Sequence, residues 1–335
     1  MIQFLPALEK EGMAIEFQSL FTDHYLVELY ASGKRNLFQV FGMMLRRLYT
    51  LRRIRNYDLL WIESEILPYI PPWIEIFLNW LKVPFVVDYD DAIFHRYDQH
   101  SNIFVRLFLR NKIDIVMRKA FAVVAGNEYI AERARAVGAT KVEIIPTVID
   151  MSRYSIRKKF VGKNDKFRIG WIGNPTTKKY LSLVYPALIK LQKIRNVEFL
   201  CIGSGPLSIE GLVVSVREWT EDSEVNDVAS FDIGLMPLPD NPFERGKCGS
   251  KLLQYMACNI PAIASPVGVN SQIVAHGVTG FLAKNEDEWF KYMLMLIDDE
   301  NLRRKLGDFS REKVEESYSL ERYSIKLANV MKCSV

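Results

Sequence analysis

Short apolar runs, mostly β-branched, alternate along the chain with longer stretches whose apolar positions recur every three or four residues. In the first half the runs are 14–20 (AIEFQSL), 58–63 (DLLWIE), 84–90 (PFVVDYD), 120–126 (AFAVVAG) and 141–147 (KVEIIPT). Helical patterns lie between them, notably 35–54 and 129–138. The segment 155–167 is polar and charge-rich, as a linker is. The second half restarts with 168–173 (RIGWIG), 197–203 (VEFLCIG), 231–238 (FDIGLMPL), 261–265 (PAIAS) and 280–283 (GFLA). Two helical patterns, 298–317 and 320–332, close the chain. Glycine-bounded apolar runs that alternate with helices predict parallel sheets with crossover helices. The expected fold is α/β, with two doubly wound, Rossmann-like domains.

Composition supports two cores. The chain has 335 residues, 49% hydrophobic and 25% charged, which suits a globular protein and excludes a disordered one. The net charge of +4 is too mild to argue for a nucleic-acid partner, and none is expected. Cys201, Cys248, Cys258 and Cys333 form no CxxC pair and read as reduced thiols of a cytoplasmic protein. The most apolar region, 59–87, is interrupted by Glu63, Glu65, Pro68, Pro71, Pro72, Glu75 and Lys82, so it holds no membrane-spanning run.

In open parallel sheets, ligands bind beyond the carboxyl ends of the strands. The turns after the predicted strands therefore carry the candidate chemistry, and 246–270 (GKCGSKLLQYMACNIPAIASPVGVN) is the richest of them. A helix start presents backbone N–H groups and partial positive charge to an anion. Gly246 and Gly249 permit close backbone approach, Ser250 suits the cap position, and Lys247 and Lys251 add full charges. Leu252, Leu253, Met256 and Ile260 mark a core face, whereas Lys251 and Gln254 share another. The spacing is not that of a Walker loop. Two readings fit the local pattern equally: a diphosphate site, and a capped helix with solvated lysines.

The same stretch, followed by IVAHGVTGFLA at 273–283, resembles the donor-binding region of retaining glycosyltransferases of family 4, which have the GT-B architecture. RIGWIGNPTTKKYL, CIGSGP and FDIGLMPL fall in the order that family shows, so the likeness covers most of 166–285. Over the first half it is weaker and rests on VVDYDDAIF and on the run from VVAGNEYIAERA to IIPTVID. The resemblance implies two Rossmann-like domains facing each other across a cleft. The acceptor-side domain would be 1–160 and the nucleotide-sugar domain 161–317, with 318–335 a terminal helix packing back on the first. It implies transfer of a sugar from a UDP- or GDP-sugar to a glycan or lipid-linked acceptor, with no metal and no tightly bound cofactor. Gly249, Ser250 and Lys251 would hold the diphosphate, and Gly173 would let the first strand's loop approach it. Gln254 stands where many members have a ribose-binding glutamate, and Gly246 where another glutamate touches the donor sugar. Lys247 lies beside that gap, and Glu244 is two residues too early to fill it. Lys178 and Lys179 are candidate phosphate contacts or solvated loop residues.

In DYDDAIFH the resemblance places Asp90, with Asp91 adjacent, where the family often has a histidine near the reacting sugar. Either could orient the acceptor hydroxyl or accept its proton; His95 is a weaker candidate. Asp88-Tyr89-Asp90 also spells a metal-binding Asp-x-Asp, a short motif common by chance. A solvated acidic turn is the bland alternative. Asn127 and Glu128 follow the predicted strand 120–126, and Glu221 and Glu224 follow VVSVREW; all four read as site neighbours or helix caps, and His276 reads as structural. The basic, apolar stretches 32–56 and 102–120 read as ordinary domain helices with a charged face in water or as helices that favour an anionic membrane, and peripheral contact at the inner face of the plasma membrane is expected. The chain begins with a helix pattern and then a strand pattern. Family relatives begin with an earlier strand and glycine loop, so a truncated start is expected. Rival readings are a GT-B sugar-nucleotide epimerase and a catalytically degenerate binding subunit.

Overall fold

The computed structural model describes residues 2–33, 35–154 and 166–334. The greater part of the expected linker, 155–165, lies outside the described residues. The chain divides into Met1–Ile145 with Ser324–Val335, and Pro146–Tyr323.

The first of these units holds a parallel sheet of β1 (Leu60–Glu63), β2 (Phe85–Tyr89), β3 (Ala122–Ala125) and β4 (Val142–Ile144), in sequential order. Phe85, Val86, Val87, Ala122, Val123 and Val124 are buried, the continuous apolar signature of strands covered on both faces. The helix Leu320–Lys332 returns to this unit, where Lys326 pairs with Glu143 at 3.2 Å. The predicted strand at 14–20 is not formed: residues 13–19 have no regular structure. Their backbone is engaged otherwise, since Arg47 donates to the Gln18 carbonyl at 3.0 Å. The apolar, basic stretch 102–120 is not one helix either. It divides into Ile103–Leu109 and Lys112–Lys119, and the second buries Lys112, Ile113, Val116 and Met117.

The other unit contains a six-stranded parallel sheet ordered β10-β9-β8-β5-β6-β7. The strands are β5 (Phe167–Ile172), β6 (Val197–Ile202), β7 (Val214–Arg217), β8 (Ile233–Met236), β9 (Ala262–Ala264) and β10 (Gly280–Leu282). The chain winds outward from β5 through β6 to β7, then restarts at β8 on the other side, so the switch point lies between β5 and β8. β7 is absent from the sequence-based set of strands. One face of the sheet packs Ile172, Leu200, Met236 and Ala264 with Leu252, Tyr255 and Val314. The other packs Ile169, Phe199, Leu235 and Ile263 with Leu188, Trp289 and Leu306. Among the described residues no helix is long and apolar enough to cross a membrane.

Candidate functional site

The turn after β5 borders the switch point, where doubly wound sheets place ligands, and it meets the turn after β6 on its other side. The Gly173 N–H donates to the Ile202 carbonyl at 3.0 Å. A Cβ on Gly173 would overlap the Trp171 ring, and one on Gly203, whose φ is +73°, would overlap the Gly173 carbonyl. The two glycines thus bring their backbones together over Trp171, which is buried. Asn174 Oδ1 accepts from the N–H groups of Thr176 and Thr177, at 3.0 and 3.1 Å, and fixes the following turn. Lys178 Nζ donates to the Pro206 carbonyl at 3.0 Å, so this lysine clamps the two turns together. Lys179 lies over the Tyr180 ring.

The helix Ser250–Ala257 starts beside these turns. Its cap residue is Gly249, at φ +69° and without a side-chain cap, not Ser250, which is the exposed first residue of the helix. A serine side chain at the cap is therefore a corrected expectation: the left-handed conformation and the closeness of Ile273 favour glycine there. Lys251 Nζ lies 5.6 Å from the centroid of the Trp171 ring. Lys251 and Gly173 consequently converge on one indole. Leu252, Leu253 and Met256 are buried on the opposite side. Tyr255 anchors the helix to the sheet: its hydroxyl accepts from Ile172 N–H at 3.1 Å and donates to the Leu235 carbonyl at 3.2 Å.

Lys247 lies over the Phe243 ring, 5.2 Å from its centroid. Buried Glu244 accepts from the Tyr180 hydroxyl at 2.5 Å. Asn270 is buried against the Gly249 backbone. Its Nδ2 donates to the Ser265 carbonyl at 3.0 Å, while its Oδ1 has no protein partner. Gln254 bonds the Tyr154 hydroxyl, which donates to Glu224 Oε1 at 2.9 Å. Trp219 Nε1 donates to the other oxygen of Glu224 at 2.8 Å. Burial, and then Glu224, push the Tyr154 hydroxyl pKa upward, so it stays a donor. Trp171, Tyr154 and Trp219 join the candidate site in the structure and are not among the candidates read from the sequence. No local motif marks them, because each is recruited by tertiary packing. Glu221 instead pairs with Arg153 at 3.3 Å. His276 packs edge-on against Phe281 and Tyr292 and is structural.

Asp90 and Asp91 belong to the other unit, directly after β2, with Asp90 exposed and Asp91 half-buried. Asp88 lies within β2 in register with Glu63. Burial first, then the Asp90 and Glu63 carboxylates, push its pKa up to about 7. Asp90 is the carboxylate of the three that is open to solvent. His95 is held between Asp98 and the Tyr129 hydroxyl, at 2.8 Å each. Asn127 is a helix cap, accepting from Ile130 N–H at 3.0 Å, and Glu128 pairs with Arg135. Among the described residues no three histidine, cysteine or carboxylate side chains are grouped to hold a metal ion.

Comparison with known proteins bears on this arrangement. Residues 166–299 match the family model described as Glycosyl transferases group 1. N-acetyl-alpha-D-glucosaminyl L-malate synthase of Bacillus anthracis is 27% identical over 181 residues, which are 50% of this chain and 45% of that protein. The capsular polysaccharide biosynthesis glycosyltransferase CapM of Staphylococcus aureus is 30% identical over 47% of this chain and 43% of its own length. The matched region thus spans less than half of either relative. The solved structure of Anabaena HepE in complex with UDP-glucose superposes with a TM-score of 0.67 at 17% identity, covering 89% of this chain and 84% of that one. At that identity the likeness establishes the fold, two Rossmann-like halves of the GT-B kind. Over residues 166–299 the chain carries a domain that matches the group 1 glycosyltransferase family.

Proposed function

We propose that the protein is a retaining glycosyltransferase. It takes a sugar from a nucleoside diphosphate sugar, UDP-linked first and GDP-linked next, and passes it to a glycan or lipid-linked acceptor in the assembly of bacterial surface polysaccharide. The observation that carries this reading is the convergence of Lys251 and Gly173 on Trp171 at the switch point. It gives a diphosphate a cation, a helix start and a close backbone turn together. The named activity of CapM and the UDP-glucose held by HepE support the substrate class.

In this mechanism the bond between the anomeric carbon and the diphosphate oxygen breaks, and negative charge builds on the departing nucleotide. Lys251 and the start of the Ser250–Ala257 helix meet that charge, a fixed electrostatic arrangement that strengthens as charge develops. Gly249 and Ser250 supply the helix-start backbone, Gly173 the facing turn, and Lys247 a second cation on the sugar side. Gln254, held by Tyr154, meets the ribose. Asp90, flanked by Asp91, orients the acceptor hydroxyl and takes its proton. No metal enters this reaction. The protein works in the cytoplasm, held peripherally at the inner face of the plasma membrane.

The test is turnover of labelled UDP-glucose and GDP-mannose with a lipid extract as acceptor, with the product's anomeric configuration read by NMR. The expected result is acceptor-dependent transfer in which the donor's configuration is kept. Inversion would contradict the retaining mechanism. Acceptor-independent release of nucleotide would point to an epimerase, and nucleotide binding without turnover to a binding subunit.

A further inference from the structure

An exposed apolar surface that the proposed reaction does not use lies on the unit built around β1–β4. The helix Ile103–Leu109 turns Ile103, Phe104, Leu107 and Phe108 to solvent, with exposures of 64, 67, 67 and 73%. They occupy positions i, i+1, i+4 and i+5, a single helical face. The helix Trp73–Trp80 does the same with Trp73, Phe77 and Trp80, at 67, 53 and 73%. Both helices begin near one spot: the Tyr69 ring, just ahead of Trp73–Trp80, meets the His100 ring, just ahead of Ile103–Leu109, at 6.1 Å. Isolated exposed apolar residues need no explanation, but two such faces on helices that begin near one another do.

Charge says what covers them. The only acid on either helix, Glu75, is buried. The remaining charged residues here, Arg106 on its helix and Arg110 at the end of it, are cationic. They line a basin of ≈ 630 Å³ together with Ile103, Leu107, Arg133 and Asp98. Asp98 is itself engaged by His95 at 2.8 Å and by Arg133 at 3.6 Å. A second copy docked on the same face about a two-fold axis would set arginine against arginine. An anionic lipid surface complements both features: aromatic side chains settle at the headgroup level and arginines meet lipid phosphate.

The geometry points to this face, Ile103–Leu109 flanked by Trp73–Trp80, as the protein's docking surface for an anionic bilayer. The inference deepens the peripheral-membrane part of the function proposed above, by naming its surface and lipid chemistry. It also moves that contact away from the stretch Lys112–Lys119, whose apolar residues are internal.

The experiment is flotation with vesicles of phosphatidylcholine alone or mixed with phosphatidylglycerol. It uses wild type, the double variant Phe104→Ser with Phe108→Ser, Arg110→Glu, and the control Phe309→Ser on the other unit. Wild type and control should float with the mixed vesicles and not with phosphatidylcholine alone. Either test variant should lower the bound fraction about tenfold or more. Each variant should keep the wild-type thermal shift with UDP, which shows that it is folded and separates this surface from the nucleotide site. Should UDP shift none of the proteins while the vesicle pattern holds, the proposed reaction fails and the surface stands. Wild type that stays with the lipid-free fraction would overturn the inference, as would test variants that float like wild type. So would a wild-type dimer, seen by light scattering, that the double phenylalanine variant dissociates without any lipid dependence.

Discussion

Lys251→Ala weakens UDP binding about 10- to 100-fold, as measured by isothermal titration calorimetry against the wild type. The magnitude is that of a hydrogen bond to a charged group, about 1.5–3 kcal/mol. Three features of the site make Lys251 the residue to change. It lies in the first helical turn, where backbone partial charge already favours an anion. Its ammonium is placed over Trp171, so its position is set before any ligand arrives. The same indole packs against Gly173, which fixes the lysine relative to the opposing turn. Solvated lysines on a capped helix would behave differently, because losing one exposed charge changes anion affinity little at physiological salt. An unchanged affinity would return the site to that bland reading.

Gly234→Ala destabilises the protein by about 3 kcal/mol or more, seen as a lowered thermal midpoint by calorimetry. Gly234 lies in β8, and a Cβ there would overlap the ring of Tyr255. That ring is fully buried in a close-packed interior, so it can retreat only by displacing its neighbours. Overpacking alone costs about 1–3 kcal/mol. Displacing the ring also breaks the hydroxyl's bonds to Ile172 N–H and the Leu235 carbonyl, leaving buried groups unpaired at about 1–3 kcal/mol. These bonds tie the Ser250–Ala257 helix to both strands at the switch point. UDP affinity should therefore fall along with stability, whereas Lys251→Ala lowers affinity alone.

Strands covered on both faces were readable because burial removes the need for polar residues. VVD, AVVA, IGLM and AIA could scarcely be anything else. β7 escaped notice because it is an edge strand: Val214 and Ser215 are half-buried while Val216 and Arg217 are exposed. Residues 14–20 carry a similar alternation and form no strand, since alternation records amphipathicity and not the presence of a partner. In the stretch 102–120 periodicity located apolar faces without saying which is covered. Ile113, Val116 and Met117 are internal, while Ile103, Phe104, Leu107 and Phe108 face solvent. Lys251, Gly173 and Gly249 stand out as candidates in the sequence because glycines and lysines around a helix start form a local pattern. Trp171, Tyr154 and Trp219 do not, because they arrive from other strands and loops. Gln254 is a candidate the sequence offers, but its bond to Tyr154 is a tertiary fact.

The central claim is that the start of the Ser250–Ala257 helix, with the Gly173 turn, holds a nucleoside diphosphate. The most direct measurement is a thermal-shift series with UDP, GDP, ADP and CMP, each with and without EDTA. A ligand at about a hundred times its dissociation constant adds about 2.7 kcal/mol of stability, well within detection. The account predicts a rise in midpoint with UDP, next with GDP, that EDTA leaves unchanged and Lys251→Ala abolishes. No rise with any of the four, or a rise that EDTA removes, would contradict it.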